Sequence, residues 1–170
     1  PVKRYAVRSS ALVEDTNNNS LAGQFLTKIN ITAQQLPVAI KEVIDDAASK
    51  LESHLSGSLL NFSIIVQEYI PAQTSGVCFT RNPLGGREAV IEYHQGIGED
   101  LVSGKIKPER FTHYWNSGIY VNKNWQDNLQ IFKNIEQSFS KPQDIEWLLS
   151  DNKLFVVQTR PITTISRSEE

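Results

Sequence analysis

The segment "DIEWLLSDNKLFVVQTRPI", Asp144 to Ile162, constrains the fold more than any other part of the chain. Two runs of alternating polar and apolar residues flank Asp151-Asn152-Lys153, and a period of two is the mark of strands with one buried face. The segment reads as an antiparallel hairpin. A hairpin alone is marginal in water, so further strands and a covering helix have to come from elsewhere in the chain.

Register decides which side chains of this hairpin meet. A three-residue loop of Asp151-Asn152-Lys153 sets Ser150 against Leu154, Glu146 opposite Gln158 and Asp144 opposite Arg160, with Ile145, Trp147, Val157 and Thr159 on the other face. A two-residue loop of Asp151-Asn152 splits Glu146 and Gln158 between the faces. In the first register a carboxylate stands beside an amide oxygen, the hard donors that Mg²⁺ prefers, and Arg160 can hold a phosphate oxygen. An ordinary cross-strand ion pair on a solvated face is the plain alternative, and turn propensity does not choose between the loops.

The rest of the chain supplies strands and two helices. Arg4 to Val7 and Gln24 to Ile31 read as strands about a turn-rich loop at Asn17-Asn18-Asn19-Ser20, forming a first hairpin. Thr32 with Gln35 has the spacing of a capping box. Ile40, Val43, Ile44, Ala47, Leu51 and Leu55 then recur at helical spacing, so a helix is expected from Ala33 to Leu55, with Pro37 tolerated in its first turn. Ser63 to Ile70, Gly76 to Thr80 and "EAVIEYH" are rich in branched apolar residues and read as successive strands of one largely antiparallel sheet, with Pro71 to Thr74 as a turn. Gly96-Ile97-Gly98 starts a short helical turn ending near Gly104. Arg110 to Trp115 and Gly118 to Val121 suggest another hairpin, and Leu129, Phe132, Ile135 and Phe139 a second amphipathic helix. The expected class is α+β, helices laid on an antiparallel sheet.

Composition removes several function classes. The 170 residues carry 17 basic and 19 acidic side chains, a net charge of −2, so there is no basic field to dominate nucleic-acid binding. No apolar run reaches the ~18 residues of a membrane span and no signal peptide opens the chain, which points to the cytoplasm. Cys78 is the one cysteine, so no internal disulfide forms, and its setting in "SGVCFT" suggests a small core residue rather than a nucleophile. His54, His94 and His113 share no ligand spacing, which leaves zinc without support. Trp115, Trp125 and Trp147 read as packing residues. The chain contains no methionine and opens close to a strand, so a piece of something longer is expected.

Two further segments fit a phosphate theme. Arg8, in "RYAVRSS", carries a permanent charge that forks onto phosphate, and the following "NNNSLAGQ" exposes backbone N–H groups with little obstruction. In "EYHQGIGEDLVSGK", Glu92 ends a strand before glycines that permit close backbone approach.

Taken in order, "VRSSALVEDTNNNSLAGQF", "IIVQEYIPAQTSGVCFTRNP", "IEYHQGIGEDLVSGKIKPERF" and "DIEWLLSDNKLFVVQTRPIT" resemble the nucleotide-binding domain of the phosphoenolpyruvate synthase and pyruvate phosphate dikinase family, shared by rifampicin phosphotransferases. The resemblance spans nearly the whole chain. It implies an ATP-grasp fold with ATP between two α+β subdomains, ATP and Mg²⁺ as cofactors, and phosphoryl transfer to a histidine carrier and then to pyruvate or another acceptor. By resemblance Arg8 contacts phosphates, the loop with Gly23 and nearby Thr27 covers them, and Gln67 to Tyr69 line the adenine pocket. Glu146 and Gln158 become the Mg²⁺ and ATP ligands, Arg160 a catalytic phosphate contact like Arg8, and Glu92 a residue near the nucleotide. The resemblance favours the three-residue turn.

Departures from the family pattern fall at Leu21, where an aromatic is usual, and at Leu26, where a glutamate is frequent. The lysine-bearing segment that precedes these motifs in the family, its phospho-histidine domain and its substrate domain are not in the sequence. The chain is therefore expected to be a single, incomplete nucleotide-binding domain, inactive by itself, whose partners are ATP and those domains.

Overall fold

The structure is a computed structural model that describes residues 2–11, 15–16, 19–20, 25–54, 62–96, 107–115, 117 and 125–162. It divides into two compact units, Pro1–Ile70 and Pro71–Glu170.

In the first unit, β1 (Tyr5–Ala11), β4 (Thr27–Ile31) and β5 (Phe62–Glu68) form an antiparallel sheet in the order β4-β1-β5. A two-residue ladder, β2 (Asp15–Thr16) with β3 (Asn19–Ser20), lies between β1 and β4 in sequence. The expected first hairpin is present, with Arg8 opposite Thr27 and Tyr5 opposite Ile31. The register shifts by one along it, where Asn30 takes a φ of 57°, a left-handed conformation that asparagine tolerates in a bulge.

Helix α1 (Leu36–His54) follows a single 3₁₀ turn, Ala33–Gln35. The Thr32–Gln35 pairing expected from spacing is there: Gln35 Oε1 accepts the Thr32 N–H at 3.0 Å and the Thr32 hydroxyl at 2.9 Å. Pro37 sits in the first turn of α1, where its missing N–H costs nothing. Ala39, Val43, Ala47 and Leu51 are buried, and Val7, Ile31 and Ile64 of the sheet pack with Ala39 and Val43. Ile44, expected on the same stripe, is 39% exposed, because 3.6 residues per turn carries it past the edge of the contact.

In the second unit, β6 (Thr74–Phe79), β7 (Ala89–Gln95), β8 (Glu109–His113), β9 (Gln143–Ser150) and β10 (Lys153–Pro161) form one antiparallel sheet, order β10-β9-β6-β7-β8. The expectation that the strand near Ser63 continues into the same sheet as its successors is corrected: β5 pairs with β1, and β6 pairs with β7 and β9. Pro71 and its neighbours break the ladder between β5 and β6, since proline has no N–H to donate. Gln73 then anchors the second sheet. Its N–H donates to the Leu149 carbonyl at 2.9 Å, its carbonyl accepts from Gly96, and its side-chain oxygen accepts the Asp151 N–H at 3.0 Å.

Helix α2 (Gln126–Phe139) covers one face of this sheet. Leu129 and Phe132 of α2 and Trp125 just before it bury against Cys78, Ile91, Ile145 and Trp147. The tryptophans are packing residues, as expected, with Trp125 and Trp147 rings 5.2 Å apart and near perpendicular. Phe139 is 55% exposed at the helix end, outside the expected core stripe. Cys78 is fully buried, and burial, then the charges of Glu136 and Asp144, push its thiol well above the ordinary range. No thiolate forms there at neutral pH.

The final hairpin corrects the loop but keeps the expected polar pairs. Lys153 pairs with Ser150, so the turn is the two-residue Asp151-Asn152, with φ values of 49° and 60° that mark a type I′ turn. Val156 pairs with Trp147, the place expected for Val157. The register then slips by one between Val156 and Gln158, leaving Val157 as the extra residue of a bulge. Beyond it, Gln158 lies opposite Glu146 and Arg160 opposite Asp144. The expected neighbours meet, but through a short turn and a bulge instead of a three-residue loop.

The expected helical turn near Ile97 to Gly104 and the strand at Gly118 to Val121 lie outside the described residues, as does Leu55. Among the described residues, no helix is long and apolar enough to cross a membrane.

Candidate functional site

Directly opposed residues of a ladder share a face, so the registers fix which side chains stand together. In the second unit one such row runs Arg110, Glu92, Val77, Glu146, Gln158 across β8, β7, β6, β9 and β10. The next row on that face runs Thr112, Val90, Phe79, Asp144, Arg160. The opposite face carries Ile91, Cys78 and Ile145 under α2. Every candidate residue of this unit therefore lies on the face that α2 leaves uncovered.

Arg160 is the centre of the polar group at the β9–β10 end. Its Nε donates to Asp144 Oδ2 at 2.8 Å, and its Nη2 lies 3.8 Å from Glu146 Oε1. The Asp144 side chain is only 12% exposed, and its Oδ1 is shielded with no hydrogen-bond partner among the described residues. Asp144 is thus committed to the guanidinium and fixes its plane beside Glu146. A buried junction holds the strand ends beneath: the Gln143 N–H donates to Thr80 Oγ1 at 2.8 Å and Gln143 Oε1 accepts the Thr159 hydroxyl at 2.9 Å.

Glu92 belongs to the same face but not to the same cluster. Val77 separates it from Glu146, a backbone spacing of about 10 Å across two strands. Its partner is Arg110, with Nε 3.6 Å from Glu92 Oε1. Sequence reasoning missed Arg110, which is visible only once β8 is known to pair with β7.

The candidate residues of the first unit are likewise co-facial. Arg8 opposes Thr27 on one side and Ile65 on the other, and Gln67 opposes Ala6, two residues along from Arg8. Arg8, Thr27 and Gln67 thus share the face opposite Val7 and Ile64, which pack against α1. Gly23 lies outside the described residues.

The donor set can be weighed against Mg²⁺. The described residues contain no group of three or more His, Cys, Asp or Glu side chains that could hold a metal. The β9–β10 face offers instead one carboxylate, Glu146, paired with one amide, Gln158. That fits a cation that keeps waters and takes most other ligands from a phosphate chain, and it does not fit an all-protein cage. Across the face three carboxylates (Asp144, Glu146, Glu92) stand with two guanidinium groups (Arg160, Arg110) and the Lys153 ammonium.

Comparison with known proteins gives the same direction. The chain matches the profile of the family described as pyruvate phosphate dikinase, AMP/ATP-binding domain, over residues 2–130 and 122–170. It is 25% identical to the "Probable phosphoenolpyruvate synthase" of Archaeoglobus fulgidus, with 97% of this chain and 28% of that protein aligned. It is 30% identical to the rifampicin phosphotransferase of Bacillus subtilis, over 95% of this chain and 23% of that protein. A second "Probable phosphoenolpyruvate synthase", from Methanothermobacter thermautotrophicus, is 27% identical over 97% of this chain and 30% of its own length. The chain spans less than a third of the curated relatives it matches. With the profile matched from Val2 to the last residue, this chain belongs to the family of pyruvate phosphate dikinase AMP/ATP-binding domains.

Proposed function

We propose that this chain is the ATP- and Mg²⁺-binding part of a phosphoenolpyruvate-synthase-like phosphotransferase, built on an ATP-grasp plan. The observation that carries the reading is the co-facial group of Glu146, Gln158, Arg160 and Asp144 on the face of the second unit that α2 leaves uncovered.

Each residue has a distinct task. Asp144 orients Arg160, whose guanidinium takes a phosphate oxygen of ATP. Glu146 and Gln158 would hold Mg²⁺ through one carboxylate and one amide oxygen. Bound there, the cation neutralises charge on the transferring phosphoryl group. In the first unit Arg8 contacts phosphate, Thr27 lies beside it, and Gln67 with Tyr69 lines the adenine site. Glu92, held by Arg110, is placed near the nucleotide. None of these groups forms a bond to phosphorus. Their contribution is alignment and charge compensation, which is most of what phosphoryl transfer demands.

The acceptor in this reading is a histidine on a separate domain of a longer protein, which then passes the group to pyruvate. A drug hydroxyl is the second reading, favoured by the 30% identity to a rifampicin phosphotransferase. Titration of the chain with a non-hydrolysable ATP analogue, with and without Mg²⁺, tests the nucleotide site. Mg²⁺-dependent binding that weakens in Glu146→Gln is expected. Binding that ignores both the cation and the substitution would refute the Glu146 assignment.

A further inference from the structure

Helix α1 lies on the face of the first sheet opposite Arg8 and Thr27, yet it grips the strand that carries Thr27. Glu42, Asp46 and Lys50 are each one turn apart, so they form a line on one side of the helix. Glu42 pairs with Lys28 at 2.8 Å. Asp46 Oδ2 accepts the backbone N–H of Leu26 at 2.8 Å, and Lys50 Nζ lies 2.7 Å from Asp46 Oδ1. Burial acts to raise the Asp46 carboxyl, but the Lys50 ammonium and the Leu26 N–H outweigh it and hold the group below its usual range. The acceptor is therefore ionised throughout neutral and mildly acidic pH.

Leu26 is the residue before β4 begins. Its side chain packs with Val7, Ala39 and Val43, so both its backbone and its side chain are fixed from the helix side. The strand then enters the ladder at Thr27, directly opposite Arg8. Terminal pairs of a ladder are the first to open, and the bulge at Asn30 isolates this end from the Ile31–Tyr5 pair. Among the described residues, the hydrogen bond that reaches the backbone just ahead of the terminal pair comes from Asp46.

We propose that Asp46 is a positioning residue of the nucleotide site: its bond to the Leu26 amide holds Thr27 beside Arg8 on the far face of the sheet. The inference rests on the nucleotide reading given above. Asp46 itself cannot touch a ligand on that face, since the sheet lies between.

The test is calorimetric titration of the 170-residue chain and its Asp46→Ala and Asp46→Asn variants with a Mg²⁺-loaded non-hydrolysable ATP analogue and, separately, with adenosine. Asp46→Ala is expected to weaken the ATP analogue about tenfold, the scale of one charge-assisted hydrogen bond, at unchanged stoichiometry. Adenosine affinity should stay the same, because Arg8 serves the phosphates. Asp46→Asn keeps an acceptor oxygen and should bind the analogue within about twofold of the unmodified chain. Unchanged analogue affinity in Asp46→Ala, or equal losses for analogue and adenosine, overturns the inference and leaves the nucleotide reading standing. Absence of analogue binding by the unmodified chain overturns both. If Asp46→Ala does not fold, amide hydrogen exchange of the unmodified chain decides: protection of the Leu26 and Thr27 amides without ligand is expected, and free exchange there overturns the inference.

Discussion

Gln158 faces Glu146 because Val157 is bulged out of β10. With the two-residue turn at Asp151-Asn152 and a regular ladder, Glu146 would oppose Val157, and both Gln158 and Arg160 would point under α2. The bulge returns them to the uncovered face. One extra residue therefore decides whether Gln158 and Arg160 stand with Glu146 and Asp144.

Deleting Val157 shortens β10 by its unpaired residue. Val156 still meets Trp147, and the next residue, Gln158, meets Glu146 in a regular ladder, so the deletion variant is expected to keep Arg160 beside Asp144 and to bind the ATP analogue like the unmodified chain. Thermal denaturation and titration of the same variant measure the two properties. Loss of affinity in a variant with the original Tm would show that the bulge itself, and not only the register, places Gln158 and Arg160.

Arg160 and Asp144 allow structure and function to be separated. Arg160→Ala leaves the Asp144 carboxylate largely buried without the guanidinium that donates to it, which should cost about 1–3 kcal/mol. Adding Asp144→Asn removes the stranded charge, so the double variant should regain much of the lost stability while nucleotide affinity stays low. Urea unfolding beside calorimetry of both variants gives the comparison. Recovery of affinity together with stability would mean that Arg160 acts only through the fold.

Gly76 of β6 has no room for a side chain. A Cβ there would lie 2.2 Å from the Glu92 carbonyl oxygen and 2.8 Å from both Trp147 Cζ2 and Tyr93 Cβ. The closest of these is backbone in a central ladder and cannot swing aside. Gly76→Ala is expected to destabilise the second unit by about 2–3 kcal/mol, near the upper end of ordinary overpacking, with altered tryptophan fluorescence. A variant that melts like the unmodified chain would mean that β6 and β7 separate more easily than their pairing implies.

Much of this was legible in the sequence because it follows from local chemistry. The Thr32–Gln35 pairing, the α1 stripe through Val43, Ala47 and Leu51, and the alternation around Trp147 each depend on spacing alone. The polar neighbours of the last hairpin were also anticipated, though through the wrong turn, since nothing in "FVVQ" marks which valine is extra. What spacing cannot show is partnership between distant strands. Arg110 meets Glu92 only through the β7–β8 ladder, and Asp46 reaches Leu26 across 20 residues of sequence. The separation of β5 from β6 into different sheets depends likewise on pairings that no local pattern records.

His113 gives the fold a pH dependence that can be signed in advance. It is buried on β8, its ring 5.2 Å from Trp115, and burial together with the Lys133 charge lowers its pKa from 6.5. The folded state thus resists protonation while the unfolded chain accepts a proton near pH 6.5, so the unfolded state binds more protons as pH falls. Stability should be unaffected by this group above that pH and decline below it, until the folded form is protonated too. Replacing His113 by Gln, which does not titrate, should flatten that part of the curve. Chemical denaturation at a series of pH values, for the chain and for His113→Gln, measures the difference. Parallel curves would place the acid sensitivity elsewhere, and a steeper decline in the variant would reverse the sign of the argument.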